Sequence, residues 1–497
     1  MRELEGYRKA LAHLPQYIRE AEAEAEKTVR TEAVVSGGIS KGMEFSEKTE
    51  LYVRATGEKT GMLYTEKLSM DPMEALEQAY RNSLEGETEE LLNTPQKVAD
   101  ALAARTAQRS EEEQKTDARE DVHEDTQADV QGEAQADAKE APQNDARVSG
   151  SVCLGTCEGQ EVSAAWLHAF ASELEREICT GYGRAGSVSV RAAQVISTIG
   201  AVNSEGVDIC GSTCRFDVTV NVSCREDPMR VYEETVSAKS TDEIHASYFV
   251  AQLKEWELSI RPAGKFQPGE YRAVLSSQAV NFLLVTGWKL FAAHTYQSGT
   301  NPLSGRLSEK IFSDCITIRD YSDSVYPYLL DSEGTPARDV TLVENGILKG
   351  LMHNLTTAKN AGVLSTGNGG RRALLSGNIH TDMTIVPENF TMECGEATLE
   401  ELIRTCQNGI YICEAFDQFH SLNTVTGDFT FPCRGVLIED GRLTKSVAGL
   451  SMNGNIVDLF SHVELLGRNR QIEPMAIYEN YLVSGPAMLV DALRISG

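Results

Sequence analysis

Between Glu111 and Asp145 the sequence cannot build a core. Thirteen acidic residues stand there against Lys115, Arg119 and Lys139, a local charge of −10, and Val122 and Val130 are the only large apolar side chains. Ordering such a run costs conformational entropy that it has no apolar surface to offset. Residues 96–147 are therefore expected to be a disordered, self-repelling insertion, with the chain folding on either side of it. The functional alternative is an acidic tether for a basic partner, weighed against the commoner case of a charge run that is simply solvated.

The rest of the chain can bury large cores. Its 497 residues are 41% hydrophobic, which suits roughly two to four domains. The formal charge of −28, or −18 with the acidic run removed, argues against nucleic-acid binding, because affinity for phosphates comes from clustered Lys and Arg. The eleven cysteines are an odd number, and Met1-Arg2-Glu3-Leu4-Glu5 leads into charged sequence rather than an apolar signal core. A reduced, cytoplasmic protein is expected. No membrane span is expected either, since apolar stretches such as Ala279 to Ala293 are short and broken by Asn281, Thr286 and Lys289.

Periodicity predicts an α+β fold in three folded parts. A small N-terminal α/β region over 1–95 reads as a helix from Tyr7 to Val29 with Glu20, Glu22, Glu24 and Glu26 outward. It is followed by a hairpin of Leu51–Ala55 and Gly61–Tyr64, then a helix capped by Asp71 with Pro72 at its first position and Glu74 completing a capping box. A middle α+β region over 148–262 has a helix from Val162 to Ile178 with Trp166, Phe170, Leu174 and Ile178 on one stripe. Alternating strands follow at Ser187–Arg191 and Phe216–Val222, then a helix from Ala246 to Leu258. The third part, over 265–497, is a large turn-rich antiparallel or mixed β domain. Asn345-Gly346 and Asp440-Gly441 each sit between apolar runs, as two-residue primed hairpin turns require. Thr398 and Glu401 form a capping box for a helix that Asn408-Gly409 ends.

That last part carries a series of short signatures. They are Gly269-Glu270-Tyr271, Ser304-Gly305-Arg306-Leu307-Ser308-Glu309, Asp331-Ser332-Glu333-Gly334-Thr335, Val343-Glu344-Asn345-Gly346, Ser365-Thr366-Gly367-Asn368-Gly369, Thr426-Gly427-Asp428-Phe429, and Ala448-Gly449 with Asn453-Gly454-Asn455. In that order they resemble the TldD/PmbA family, long labelled modulators of DNA gyrase and understood as a two-subunit zinc metallopeptidase. In the zinc-bearing branch, the resemblance implies, an H-E-x-x-x-H helix lies just upstream of the Ser-Gly strip. Here that place reads Phe282-Leu283-Leu284-Val285-Thr286-Gly287-Trp288-Lys289, and no Asp or Glu occurs between Glu270 and Glu309. The branch's third ligand is a cysteine near the C-terminus, whereas the last cysteine here is Cys433. The chain is therefore similar to the PmbA (TldE) branch, which lacks the metal.

Other chemistries are weaker. His294 has no second ligand at helical spacing, and His353, His380, His420 and His462 are isolated in sequence. Cys153-x-x-x-Cys157 and Cys210-x-x-x-Cys214 have spacing compatible with a four-cysteine zinc site, the strongest rival metal reading, against ordinary thiols. The glycine-rich Ser365–Arg372 lacks the lysine-hydroxyl ending of a phosphate loop. By the resemblance it borders the active-site groove, which makes Asn368 and Arg371 candidate peptide contacts beside the plainer reading of a turn needing positive φ. Asp428 reads as a turn aspartate rather than a catalytic acid. No catalytic or metal-ligating residue is assigned to this chain.

The resemblance implies a subunit that binds no cofactor itself. It would pair with an H-E-x-x-x-H-bearing relative that holds zinc, and would shape a chamber for unfolded or small peptides. Two other classes stay open. One is an autonomous hydrolase with a site invisible to local motifs, and the other a non-enzymatic homodimer acting as regulator or scaffold.

Overall fold

The Glu-Ala alternation of Glu20–Glu26 is strand, not helix. The computed structural model describes residues 2–67, 69–83, 92–123, 152–155, 157, 160–225, 231–259, 264, 266–325, 327–372, 379–474 and 481–497. Within the expected Tyr7–Val29 helix only α1 (Glu5–Leu11) is helical, and β1 (Glu20–Ser36) follows it. Ala21, Ala23 and Ala25 are small enough to lie beneath α1 and α2 (Pro72–Arg81). Glu22 and Glu24, on the other face, are buried as well, at 8% and 3% exposure. Glu and Ala favour helix intrinsically, but a period of two that buries both faces of a strand overrides that preference.

β1 pairs with β2 (Ile39–Thr56) and also with β5 (Ala185–Asn203), across the insertion. The regions 1–95 and 148–262 are thus one seven-stranded sheet rather than two domains. Its order is β3-β2-β1-β5-β6-β4, with β3 (Thr60–Thr65), β4 (Val152–Leu154) and β6 (Asp208–Cys224), and β7 (Val231–Ala238) also pairs with β6. Asp71 caps α2 as expected, accepting from Met73 N and Glu74 N. The segment assigned to the insertion begins in order: α3 (Pro95–His123) is helical, with Val98 and Ala101 buried in its first turns. The apolar residues that dock α3 precede the acidic run, and residues 124–147 lie outside the described part.

α4 (Ala164–Tyr182) and α5 (Ala246–Ser259) cover the same sheet. The buried stripe of α4 holds Leu174 and Ile178 as expected, but in its first turns Leu167 and Ala171 take the buried places of Trp166 and Phe170, so Trp166 is 44% exposed. Glu175 of α4 holds the β1–β2 turn, accepting from Gly37 N at 2.5 Å and Gly38 N at 3.0 Å.

The C-terminal part begins with β8 (Gly269–Leu275), α6 (Ser277–Gly287) and α7 (Ala293–Gln297). It continues through β9 (Ile318–Asp320), β10 (Val340–Glu344), β11 (Ile347–Leu348), α8 (Leu355–Ala361), β12 (Gly369–Arg372), β13 (Ile379–Ile385), β14 (Asn389–Met392) and α9 (Leu399–Cys406). β15 (Gly409–Ala415), β16 (Asp428–Glu439), β17 (Arg442–Asn455), α10 (Ile456–Ser461), β18 (Val463–Pro474) and β19 (Leu482–Ser496) complete it. Because β8 pairs with both β15 and β19, the strands β8, β15, β16, β17 and β19 close on themselves and leave no open edge within that ring. Both expected hairpin turns are primed, with Asn345 and Gly346 at φ 48° and 77° and Asp440 and Gly441 at 51° and 70°. The Thr398–Glu401 capping box is present at α9. α6 packs on β19, where a side chain at Gly485 would meet Val280 Cγ1 at 2.8 Å. The whole is a mixed α+β fold.

Candidate functional site

α6 starts at the edge of a cleft and ends in the core. Ser276 caps it, accepting from Ala279 N, and its own hydroxyl donates to Cys413 O at 3.0 Å. Gln278 is fixed by two bonds to the backbone of Ala415, at 3.0 and 2.8 Å. Ser277, Gln278 and Phe282 face a cleft of about 1040 Å³ between the N-terminal sheet and the C-terminal domain, while Leu283, Leu284 and Val285 are buried behind it. Gly467 and Arg468 of β18 line the same cleft.

The opposite wall is polar and comes from β6, β7 and α5. Asp217 is 8% exposed and fully engaged: Ser237 Oγ donates at 2.7 Å and Arg215 Nε at 3.1 Å, with Arg30 3.6 Å away. Glu234 accepts from the Tyr248 hydroxyl. Glu255 of α5 accepts from the hydroxyl of Tyr411 on β15, which ties the two walls together. Burial pushes Glu255 up to about 7. Glu414 is also raised by burial, although Arg434 donates to it at 3.1 Å and opposes the shift. Five carboxylates line the cleft against the cations Arg30, Arg191 and Arg468. A cleft of this kind can hold an extended polar chain; α6 offers it no metal ligand, because Phe282, Leu283, Leu284, Val285, Thr286 and Gly287 have none to give.

Two of the signature motifs, Asp331–Thr335 and Ser365–Gly369, assemble elsewhere, in a buried polar core between the two halves. Asp331 accepts from Glu333 N, Thr335 N and Gly369 N at 2.8–2.9 Å, which joins the Asp331–Thr335 motif to the glycine-rich segment. Glu333 accepts from Leu355 N at the start of α8 at 2.7 Å. Asp320 accepts from Asn368 Nδ2 at 2.7 Å and from the backbones of Glu388 and Asn389, both at 2.9 Å. Burial raises Asp320 and Asp331 to about 7 and pushes Glu333 and Glu388 well above the usual carboxylate range. Arg371 crosses to the N-terminal sheet, lying over the Tyr52 ring and donating to Glu22, which also accepts from Arg54 Nε at 2.7 Å.

Asn368 and Arg371, the two candidate peptide contacts, are therefore 2% and 1% exposed and bonded to this chain's own groups. The structure brings them together, but inside the fold and not on a groove. The two cysteine pairs meet: Cys153 lies opposite Cys210 in the β4–β6 ladder, and Cys157 lies near Cys214, whose Sγ meets Gln194 Nε2 at 3.3 Å. Among the described residues no three His, Cys, Asp or Glu are placed to hold a metal ion. His353 is buried, which lowers it to about 4, and His294 is lowered by burial and by Lys289. Asp428 accepts from Asn455 Nδ2 at 3.0 Å, as part of a turn. Sequence reading missed Glu22, Arg54, Glu255 and Tyr411, which had no motif to announce them. The one local hint was Arg54, a charged residue inside the strand-forming run Leu51–Ala55.

Residues 268–497 match the PmbA/TldA metallopeptidase C-terminal domain. A metalloprotease of Archaeoglobus fulgidus is 29% identical over 214 residues, 41% of this chain and 47% of that protein. The chain spans about half the length of the curated relatives it matches. The crystal structure of TldE from Thermococcus kodakarensis superimposes with a TM-score of 0.70 at 19% identity, covering 97% of this chain and 98% of that one. A candidate modulator of a DNA gyrase from Thermotoga maritima also gives 0.70 at 19% identity, covering 96% of each chain. At that identity the two structures speak for the fold. No helix among the described residues is long and apolar enough to cross a membrane.

Proposed function

The chain belongs to the TldD/PmbA family through its C-terminal domain, and from that premise we propose that it is the metal-free, PmbA/TldE-like subunit of a two-subunit zinc peptidase of the cytoplasm. Its partner is an H-E-x-x-x-H-bearing relative that holds the zinc and performs hydrolysis. This chain shapes the chamber that admits unfolded or small peptides.

The observation that carries the reading is α6. Where the zinc branch places two imidazoles and a carboxylate, α6 presents Phe282 to the cleft and sends Leu283, Leu284 and Val285 into the core. The branch's third ligand is a cysteine near the C-terminus, and the corresponding tail here, Gly467 to Gly497, contains none. Neither position fits a zinc ion, since each ligand must be a deprotonated sulfur, a neutral imidazole or a carboxylate. The cleft itself persists, with a polar wall and a volume in the range of small-ligand sites. A cleft kept without its metal chemistry is what a chamber-forming subunit would retain.

Co-expression with the motif-bearing relative tests this. The two chains are expected to co-purify, with stoichiometric zinc and peptide cleavage appearing only in the mixture. Turnover and bound zinc in the isolated chain would overturn the reading in favour of an autonomous hydrolase. A stable homodimer that ignores the relative would point to the regulator or scaffold.

A further inference from the structure

A second cavity, of about 900 Å³, lies between α3, the β4–β6 edge and the loop from Asp323 to Leu329, and shares no lining residue with the cleft. Three cations line it, Arg105, Arg109 and Lys239, against one carboxylate, Asp323. Arg109 reaches Asp323 at 2.9 Å and Lys239 reaches it at 2.6 Å, so one negative charge serves two positive ones. Arg105 is only 9% exposed, yet among the described residues it forms no ion pair, and its one hydrogen bond is to Leu329 O at 3.3 Å.

A guanidinium held this deep without a carboxylate is costly unless an anion reaches it. Glu388, Asp323 and Asp339 attract it from a distance, but none of them pairs with it. Ser322 N and Oγ occupy Asp339 at 2.7 and 2.9 Å, and Glu388 is held well above the usual carboxylate range by burial. The thiols on the cavity wall add no negative charge, since burial raises Cys157 to about 11 and Cys214 in the same direction. This local positive excess occurs in a chain of net charge −28. General basicity does not explain it, and the surrounding field disfavours a nucleic acid.

We propose that this cavity binds the oxyanion of a small molecule, a phosphate ester or a carboxylate, with Arg105 as the buried anchor and Arg109 and Lys239 at the rim. A guanidinium offers paired donors that match either oxyanion, and the volume fits a small ligand. The site does not depend on the peptidase reading.

The test titrates inorganic phosphate and, separately, acetate into the full chain by calorimetry, in chloride buffer of matched ionic strength. A saturable one-site signal is expected for one of them, and the stronger of the two identifies the class of ester or acid. Arg105→Met should weaken it about tenfold or more, and Lys239→Gln, a rim change that leaves the core alone, by a smaller factor. As a second readout, the preferred anion should slow alkylation of Cys153, which is exposed on the cavity wall, while exposed Cys179, Cys315 and Cys394 serve as controls. No saturable binding above the chloride control would overturn the proposal. So would folded Lys239→Gln protein that binds both anions, and protects Cys153, as the wild type does.

Discussion

Arg371 and Glu22 stand 349 positions apart in the chain and meet at 3.1 Å, both almost excluded from solvent. One comes from the glycine-rich segment of the C-terminal domain and the other from the first strand of the N-terminal sheet, so their contact fastens the two halves that enclose the cleft. The guanidinium also lies 4.3 Å from the centre of the Tyr52 ring. Removing Arg371 leaves Glu22 buried with Arg54 as its remaining partner and empties the space over the Tyr52 ring. Arg371→Ala is expected to cost about 3–5 kcal/mol in urea unfolding, and the added change Glu22→Gln to deepen that loss, because it takes from Arg54 the carboxylate it bonds. A loss below about 1 kcal/mol would show that the contact is not a fastening.

The buried carboxylates set a direction for pH. Asp320 and Asp331 are raised to about 7 chiefly by burial. The folded chain therefore holds protons that the unfolded chain releases near pH 4. Where the native state binds more protons, stability falls as pH rises, here from about pH 4 to about 7 and beyond. Glu388, with neither carboxylate oxygen hydrogen-bonded among the described residues, belongs to the same set. Melting temperatures at about pH 6 should exceed those at about pH 8, and Glu388→Gln should narrow the gap by stabilising the alkaline end. A gap that the substitution leaves unchanged would remove Glu388 from the account.

Local rules made the turns and helix caps legible. Asn345-Gly346, Asp440-Gly441, Thr398 with Glu401, and Asp71 before Pro72 each act within a few residues, so their structures follow from sequence. Glu20–Glu26 shows where such reading stops. Its residues favour helix, and only the distant partners Arg54 and Arg371, the alanine-sized space under α1 and α2, and the pairing with β5 make it a strand. The placement of Asn368 and Arg371 failed for the same reason. The motif singled them out, but the carboxylates they bond lie at positions 320 and 22, beyond any local window.

The two primed turns should respond unequally to a methyl group. At Gly441, φ is 70° and a new Cβ would come no closer than 3.2 Å, to Arg404 Cα. Gly441→Ala is expected to cost about 1–2 kcal/mol, the strain of a left-handed conformation. At Gly346, φ is 77° and the Cβ would sit 2.3 Å from Phe312 O and 2.7 Å from Ser313 O. Backbone must move there, so Gly346→Ala should exceed the other by about 1 kcal/mol or more in the same denaturation assay. Equal losses would mean that the Gly346 turn relaxes freely.

The cleft predicts how a single bulky side chain should act on the assembled peptidase. Ala251 and Lys254 are both exposed on α5, but only Ala251 lines the cleft. Tryptophan is tolerated on a helix surface at a cost of well under about 1 kcal/mol, so neither Ala251→Trp nor Lys254→Trp should harm folding, pairing with the relative or its zinc content. If peptides pass through the cleft, Ala251→Trp obstructs the ground state and the transition state alike. KM should then rise about tenfold with kcat little changed, while Lys254→Trp behaves as the parent. Equal kinetics for the two variants, with zinc and co-purification intact, would place the peptide path outside this cleft and detach the cleft from the proposed function.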